Sequence, residues 1–433
     1  MQIKDILITR LYGIYNHKIT LQPGGLTIIH GANGVGKTAV LKCLKYLFDW
    51  DIESLGKIPF NKCLVRLDND AIISVKRSNV LKLEKDNTLP TSGPIEIEFI
   101  QDGKTLDTVY GVDAKILGFS DSIAESQPWL EKIRKGLWRD KRNGKLIGAL
   151  ELVEDYMPSK QKKRRSHSLF FEHIKNQIQI KLIDTNRLAG FTKDASNRAT
   201  VLDCATDMVR QIKAVNAEYA KTAQELDQSF PHRLIMNANT LYAPNEVKDR
   251  LVAFEKRQET LSAIGLLATF QGPALPFDVG ALSAAKLEAI GLFVHDSEKK
   301  LNAFNDLSNR CEALLKLIEG KFKNKRLNIN REEGLSVVDT YGKPIPIDAL
   351  SSGEQHEIVI LYELLFRTPS NTLLLIDEPE ISLHVAWQKT FIRDLRKISS
   401  IVGVECIVAT HSPFIVGDNH ELMISLDDGE HGE

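Results

Sequence analysis

The chain has 433 residues, 43% of them apolar, and its 56 basic and 57 acidic side chains leave a formal charge of −1. At roughly 100–200 residues per domain this allows two or three structural units with a sizeable core, and the near balance of charge excludes a globally basic nucleic-acid or membrane-surface protein, so any such site must be a local patch. No run approaches the ~18 apolar residues of a membrane span. The N-terminus, MQIKDILITR, mixes charge into apolar positions and is no signal peptide, and five scattered cysteines without a CxxC pair argue against zinc and disulfides and suit a reducing cytoplasm.

Residues 1–30 are expected to form two strands around a turn, ILITRL and GGLTIIH, the second stopping at a glycine. In AVLKCLKYLF, Val40, Leu41, Leu44, Leu47 and Phe48 recur at helical spacing and predict a buried helix face. From 57 to 110 the runs KCLVRL, AIISVKR, VLKLEK and PIEIEFI alternate and are split by Asn, Asp, Gly and Pro, as in an antiparallel meander. NQIQIKLIDTNRL is a further strand with a polar end. Residues 195–325 change character to long, charged stretches of helical period, without a heptad register sustained enough for a coiled coil. They predict a helical subdomain of two to four helices. KRLNIN, GLSVVDT and PIPID follow as short strands. Then come the turn LSSGEQ, a helix beginning near His356, the strand TLLLID, a helix near SLHVAWQ and the strand ECIVAT. The organisation expected is an N-terminal lobe over 1–190, a helical insertion over 191–325 and a C-terminal lobe over 326–433.

The stretch Gly31-Ala32-Asn33-Gly34-Val35-Gly36-Lys37-Thr38 fits GxxxxGK[ST] in full, with a strand feeding in and a helix leaving. Its glycines let the loop curl so that successive N–H groups face a phosphate, and the helix adds the positive end of its dipole. Gly31, Asn33, Gly34, Gly36, Lys37, Thr38 and Ala39 are the candidate ATP contacts. Lys37 can reach the β and γ phosphates, and the Thr38 hydroxyl can ligate Mg²⁺. In LLLIDE the fully apolar strand suits a parallel sheet covered on both faces, whose C-terminal end is where ligands bind. Asp377 is the second expected Mg²⁺ ligand. Glu378 is placed to polarise the attacking water.

LSSGEQ stands ahead of an apolar helix pattern. Ser351, Ser352, Gly353 and Glu354 are therefore expected at a helix N-terminus, a second anion site that one triphosphate in one chain does not need. A head-to-tail dimer resolves this, each nucleotide held by the phosphate loop of one copy and capped by the serine–glycine turn of the other. The turn resembles the LSGGQ-like signature of ABC-type ATPases: Leu350, Ser351, Gly353 and Gln355 match, with Ser352 in place of a glycine and Glu354 as a variant of the RecF and SMC branch. The resemblance implies an α/β P-loop NTPase, an ABC/SMC-like head with a mixed sheet, an antiparallel subsheet and an inserted helical subdomain. It implies that His411, in ATHSP, is the switch histidine that contacts the γ-phosphate or orients the water. It also places the subunit-facing loop at Ser382-Leu383-His384. The family's glutamine-bearing loop is matched in order by Asp184-Thr185-Asn186-Arg187, with Gln101 as the alternative.

About 310 residues separate Lys37 from the signature turn, unlike the compact domains of membrane transporters. That layout resembles RecF, the SMC proteins and the overcoming-lysogenization-defect ATPases. The chain ends about 22 residues beyond His411, so the Toprim nuclease that follows there in the last group is expected to be absent. LSSGEQHEIVILYELLF, LLLIDEPEISLHVAWQ and ATHSPFI together are most similar to the Septu ATPase (PtuA) family of anti-phage operons. That resemblance implies a cytoplasmic, oligomeric ATPase that regulates a separate HNH-type nuclease; a RecF-like repair ATPase and the ATPase of the PARIS defence system are the alternatives. DNA is a further candidate partner. Residues 132–165 carry twelve basic side chains against four acids, with Trp129 and Trp138 placed to stack on bases. The alternative there is a solvated loop with the tryptophans in a local core.

Overall fold

A computed structural model of the protein describes residues 2–77, 95–110, 124–134, 137–142, 144, 146–148, 174, 177–184, 200–236, 243–268, 283–381, 383 and 385–426. The chain opens with β1 (Ile3–Leu11), β2 (Tyr15–Thr20) and β3 (Leu26–His30), then α1 (Lys37–Asp49) and α2 (Ile52–Gly56). Three strands thus replace the expected pair. β2 is half polar, so only His17 and Ile19 mark its buried face, and its strand identity comes from antiparallel pairing with β1. β4 (Lys62–Leu67), β5 (Ile72–Arg77), β6 (Ile95–Gln101) and β7 (Lys104–Tyr110) continue the antiparallel sheet in the order β2-β1-β4-β5-β6-β7. The VLKLEK run, residues 80–85, lies outside the described residues. β8 (Leu130–Arg134), β9 (Leu137–Asp140) and β10 (Leu146–Gly148) form a small sheet of their own, followed by β11 (Gln179–Asp184).

Four helices fill most of the next stretch: α3 (Val201–Met236), α4 (Pro244–Ala263), α5 (Ala284–Leu301) and α6 (Asn305–Ile318). Ion pairs lace the outer part, Arg233 to Asp296 at 2.5 Å and Arg250 to Glu298 at 2.6 Å. A three-stranded sheet, β12 (Lys325–Asn330), β13 (Gly334–Asp339) and β14 (Pro344–Ile345), leads to α7 (Ser352–Phe366), β15 (Thr372–Asp377), α8 (Val385–Val402), β16 (Glu405–Thr410), the short α9 (Pro413–Val416) and β17 (Met423–Ser425). Among the described residues no helix is long and apolar enough to cross a membrane, and all five cysteines are free and buried.

The second large sheet runs β11-β15-β16-β3-β17, every pairing parallel. It divides two hydrophobic cores, and side-chain alternation shows how. Leu373 and Leu375 of β15, with Ile407 and Ala409 of β16, face a core built on α1 and the antiparallel sheet. Leu374 and Ile376, with Cys406 and Val408, face a core built on α3, α6, α7 and α8. A strand with core on both sides has no solvent face to mark with polar residues, which is why TLLLID is apolar from Leu373 to Ile376. Burying each of those leucines contributes about 1.5–3 kcal/mol relative to leaving it exposed.

α7 begins at Ser352 rather than near His356. Ser351 is its N-cap and accepts from the Glu354 N–H, while the Glu354 carboxylate accepts from the Ser351 N–H and hydroxyl at 2.9 and 2.8 Å. This capping box satisfies the Ser351 and Glu354 amides and draws the serine–glycine turn into the first helical turn. On the next turns Tyr362, fully buried, donates to Asp207 of α3 at 2.9 Å, and Gln211 and Arg367 reach the same carboxylate at 3.0 and 3.5 Å. The root of the helical region and the helix behind the signature turn are therefore tied by one buried polar network.

Candidate functional site

β3 delivers the chain to the glycine loop at the C-terminal edge of the parallel sheet, and α1 leaves it. Gly34 and Gly36 take φ of 95° and 97°, a left-handed backbone that side-chain-bearing residues rarely adopt. At Gly36 a Cβ would also stand 2.5 Å from Leu11 Cδ2. α1 starts with no side-chain cap and no acid in its first turn, so its leading amides remain available to an anion. Lys37 is 4% exposed and folds back to donate to the Gly31 and Ala32 carbonyls at 2.7 and 2.9 Å, its charge held at the centre of the loop.

A residue that sequence reasoning missed braces this loop from below. His17 of β2, 2% exposed, lies 2.7 Å through Nε2 from the Val35 carbonyl, and its ring stacks on Tyr15. A carbonyl only accepts, so Nε2 carries the hydrogen. Burial pushes the imidazole below its usual range, outweighing that bond, and the ring stays neutral near pH 7. His17→Ala removes the brace and leaves Val35 without this donor; nucleotide affinity is expected to fall by about 5–10-fold, the equivalent of one net hydrogen bond of ~1–1.5 kcal/mol. Nucleotide titration together with a thermal melt checks it, and unchanged affinity in a folded variant would rule the brace out.

β15 brings the acids to the same edge. Asp377, 6% exposed, accepts from the Thr38 hydroxyl at 3.1 Å across 339 residues of sequence. Glu378 takes φ of 46°, and its N–H donates to the Ala409 carbonyl at 2.9 Å. A glutamate held in the left-handed region costs on the order of 1–3 kcal/mol and persists only where its surroundings fix it, a pattern common at reactive sites. From the end of β16, His411, 41% exposed, places Nδ1 3.9 Å from Glu378 Oε1 and 3.0 Å from Glu380 Oε1. Lys37, Thr38, Asp377, Glu378 and His411 are thus gathered at neighbouring strand ends. Glu380 joins them, unassigned by the sequence reading. Its signal was the third acid of IDEPE, which a 3₁₀ turn over Pro379–Ile381 carries to the end of the next strand.

The signature residues stand on another element. Ser351 and Ser352 are exposed, and nothing lies within 4 Å of where a Gly353 Cβ would be. Glu354 is spoken for: Lys325 donates to both its oxygens at 2.9 and 2.8 Å. Burial raises its carboxyl, but the bonds from Lys325 and Ser351 outweigh that and hold it below the usual range. It therefore acts as a cap inside the chain, and Ser352 and Gly353 remain the open part of the turn. Gln355 pins the turn by donating to the Asp348 and Leu350 carbonyls at 2.7 and 2.9 Å. For the glutamine-bearing loop, Asp184 ends β11 in register with Asp377, whereas Gln101 ends β6 in the antiparallel sheet opposite Lys104. Residues 185–187, 382 and 384 lie outside the described residues, and Leu383 is buried.

The expected nucleic-acid patch changes. Trp138 is 2% exposed and is unavailable for base stacking. Arg142 stacks over Trp129 at 4.6 Å and pairs with Asp140 at 2.8 Å, so its charge is compensated inside the small sheet. Residues 160–165 lie outside the described residues.

A glycine loop fed by a parallel strand, with the facing carboxylate on the neighbouring strand but one, defines a P-loop ATPase head built of a parallel and an antiparallel sheet. Residues 26–417 match the model of the family described as "AAA domain, putative AbiEii toxin, Type IV TA system", and the chain belongs to that family. Among solved structures it is similar to an Smc head domain with an extended coiled coil bound to the C-terminal domain of ScpA, derived from Pyrococcus furiosus. Identity there is 15% over 98% of this chain and 93% of that one, with a TM-score of 0.36. It is similar also to an SmcHead bound to the C-winged helix domain of ScpA, at 13% identity over 98% and 94%, with a TM-score of 0.33. Likenesses at that level do not bear on what this chain does. None of the curated proteins matches it.

Proposed function

We propose that the protein binds ATP and Mg²⁺, hydrolyses the γ-phosphate between two copies arranged head to tail, and through that cycle controls a separate HNH-type nuclease in an anti-phage complex of the Septu kind. The observation that carries the nucleotide half is the 3.1 Å bond from Thr38 to Asp377, which joins loop and carboxylate across the sheet edge. A hydroxyl and a carboxylate are the hard oxygen donors Mg²⁺ prefers. Among the described residues no group of three or more His, Cys, Asp or Glu could hold a metal alone, so Thr38 and Asp377 would share the ion with the phosphates, whose charge it neutralises when bound. Lys37 exchanges its loop carbonyls for phosphate oxygens. Glu378 holds and polarises the attacking water, and His411 completes the γ-phosphate end. Ser352 and Gly353 of the second copy close the site over the triphosphate. The nuclease partner and the anti-phage setting rest on the sequence resemblance, and DNA on the basic run at 132–165.

Glu378→Gln keeps the shape of the side chain and removes its basicity. Turnover is expected to fall about 10²–10⁴-fold with ATP affinity retained, so that a nucleotide-bound dimer accumulates in size-exclusion chromatography. Hydrolysis at the wild-type rate in that variant would remove Glu378 from the reaction. Co-purification from the native host with mass identification tests the partner: recovery of an HNH protein supports this reading, and recovery of repair factors instead favours the RecF-like alternative.

A further inference from the structure

The hydrolytic reading leaves one carboxylate of IDEPE unused. Glu380 is half-buried as a residue, with its side chain only 7% exposed. Its Oε1 accepts from the Thr410 hydroxyl at 2.7 Å and from the His411 and Ser412 N–H groups at 2.8 and 3.2 Å, and lies 3.0 Å from His411 Nδ1. Its Oε2 is buried with no hydrogen-bond partner among the described residues. Backbone and ring of the switch histidine thus converge on one oxygen, 31 residues away in sequence. The Thr410 hydroxyl and the His411 and Ser412 amides donate to that oxygen, and at 3.0 Å an Nδ1 lone pair would face a carboxylate oxygen that only accepts, so the contact favours the hydrogen on Nδ1. In a neutral imidazole the lone pair then falls on Nε2.

We propose that Glu380 is a positioning residue for ATP hydrolysis: it fixes His411 as the Nδ1–H tautomer, so that Nε2 is the ring's acceptor and accepts a hydrogen bond that orients the attacking water. The proposal rests on the hydrolytic reading and deepens it. Of the two roles open to His411, donation to the γ-phosphate needs a hydrogen on Nε2, and the phosphate oxygens are themselves acceptors. An Nε2 lone pair therefore selects the water. Glu378, whose Oε1 lies 3.9 Å from Nδ1, accepts from the other O–H of the same water and is the group that takes its one proton as the water attacks. A carboxylate behind a histidine commonly sets its tautomer and orientation, and its loss costs about 10–100-fold in activity.

The test reads the ring directly. In the full-length protein labelled with ¹⁵N-histidine, the ring nitrogens of His411 are assigned by their loss in His411→Gln, at about pH 8.5, where imidazoles are ordinarily neutral. The expected wild-type spectrum shows hydrogen on Nδ1 only. In Glu380→Ala the hydrogen moves to Nε2 and kcat falls about 10–100-fold, while the dissociation constant for a non-hydrolysable ATP analogue stays within twofold. Glu380→Gln keeps an acceptor oxygen in place and is expected to retain both the tautomer and most of kcat. If Glu380→Ala does not fold, the wild-type and Glu380→Gln spectra still decide. An Nε2–H or doubly protonated ring in the wild type overturns the proposal, as does a full kcat in folded Glu380→Ala. Wild-type protein that shows the Nδ1–H ring yet hydrolyses no ATP would overturn the parent reading, and the role in water activation with it; wild-type protein that hydrolyses ATP with the opposite tautomer overturns this proposal alone.

Discussion

Lys37→Ala is expected to abolish nucleotide binding and, with it, hydrolysis. In the free protein the ammonium donates to the Gly31 and Ala32 carbonyls, 2.7 and 2.9 Å away. When a triphosphate enters, those bonds are exchanged for charge-assisted ones to phosphate oxygens, each worth roughly 1.5–3 kcal/mol. Losing two weakens ATP by on the order of 10²–10⁴-fold, since about 1.4 kcal/mol is tenfold. The same substitution empties the middle of the loop, because Lys37 is 4% exposed, and a fall of ~1–3 kcal/mol in unliganded stability is expected from its two unmet carbonyls. Two measurements separate these effects. A fluorescent-nucleotide titration reports binding, and a denaturant melt without nucleotide reports the loop. Lys37→Arg restores charge but not shape, so its melt is expected to recover more than its affinity does. A folded Lys37→Ala that still binds ATP near the wild-type constant would take the glycine loop out of the nucleotide site.

What the sequence made legible is what lies in one continuous string. The glycine loop and the apolar strand with its terminal acids are local patterns, and their meeting follows once both are put at the C-terminal edge of one parallel sheet. The burial of Val40, Leu41, Leu44, Leu47 and Phe48 follows helical spacing in the same way. The rest depends on contacts no local string carries. Glu354 reads as part of an anion-facing turn, yet Lys325 and the Ser351 cap claim it. The capping pattern S-x-x-E was present at 351–354 and would have moved the helix start to Ser352. β2 is too polar to stand out, so His17 and its bond to Val35 were hidden with it. Trp138, Asp140 and Arg142 sit in a run whose net charge suggests a phosphate track, but the small sheet buries the first two and the Asp140 carboxylate, two residues away, neutralises the third. The tie between Asp207 and Tyr362 spans 155 residues. It joins the helical region to the signature helix in a way that composition alone could not indicate.

The head-to-tail arrangement makes a sharper demand, met by mixing two inactive variants. Ser352→Glu puts a carboxylate at the first position of α7, where the helix dipole favours it and the Ser351–Glu354 cap is untouched. The fold is therefore expected to hold or gain slightly in stability. In the proposed head-to-tail dimer the same carboxylate would face the partner's γ-phosphate, and like-charge repulsion is expected to cut hydrolysis by on the order of 10²-fold or more, at roughly 3 kcal/mol or more of lost closure. Each Ser352→Glu copy keeps its own glycine loop and so its own affinity for ATP. Lys37→Ala copies keep a good serine–glycine turn and bind no nucleotide. Alone, both are inactive. In a mixed dimer one composite site carries both lesions and the other carries none. Random pairing makes half the dimers mixed, with one sound site of two, so the mixture is expected to regain about a quarter of wild-type turnover. That rescue requires the glycine loop of one copy and the serine turn of another to share a nucleotide. If each chain hydrolysed ATP with its own turn, mixing would restore nothing; subunit exchange followed by a steady-state ATPase assay distinguishes the two.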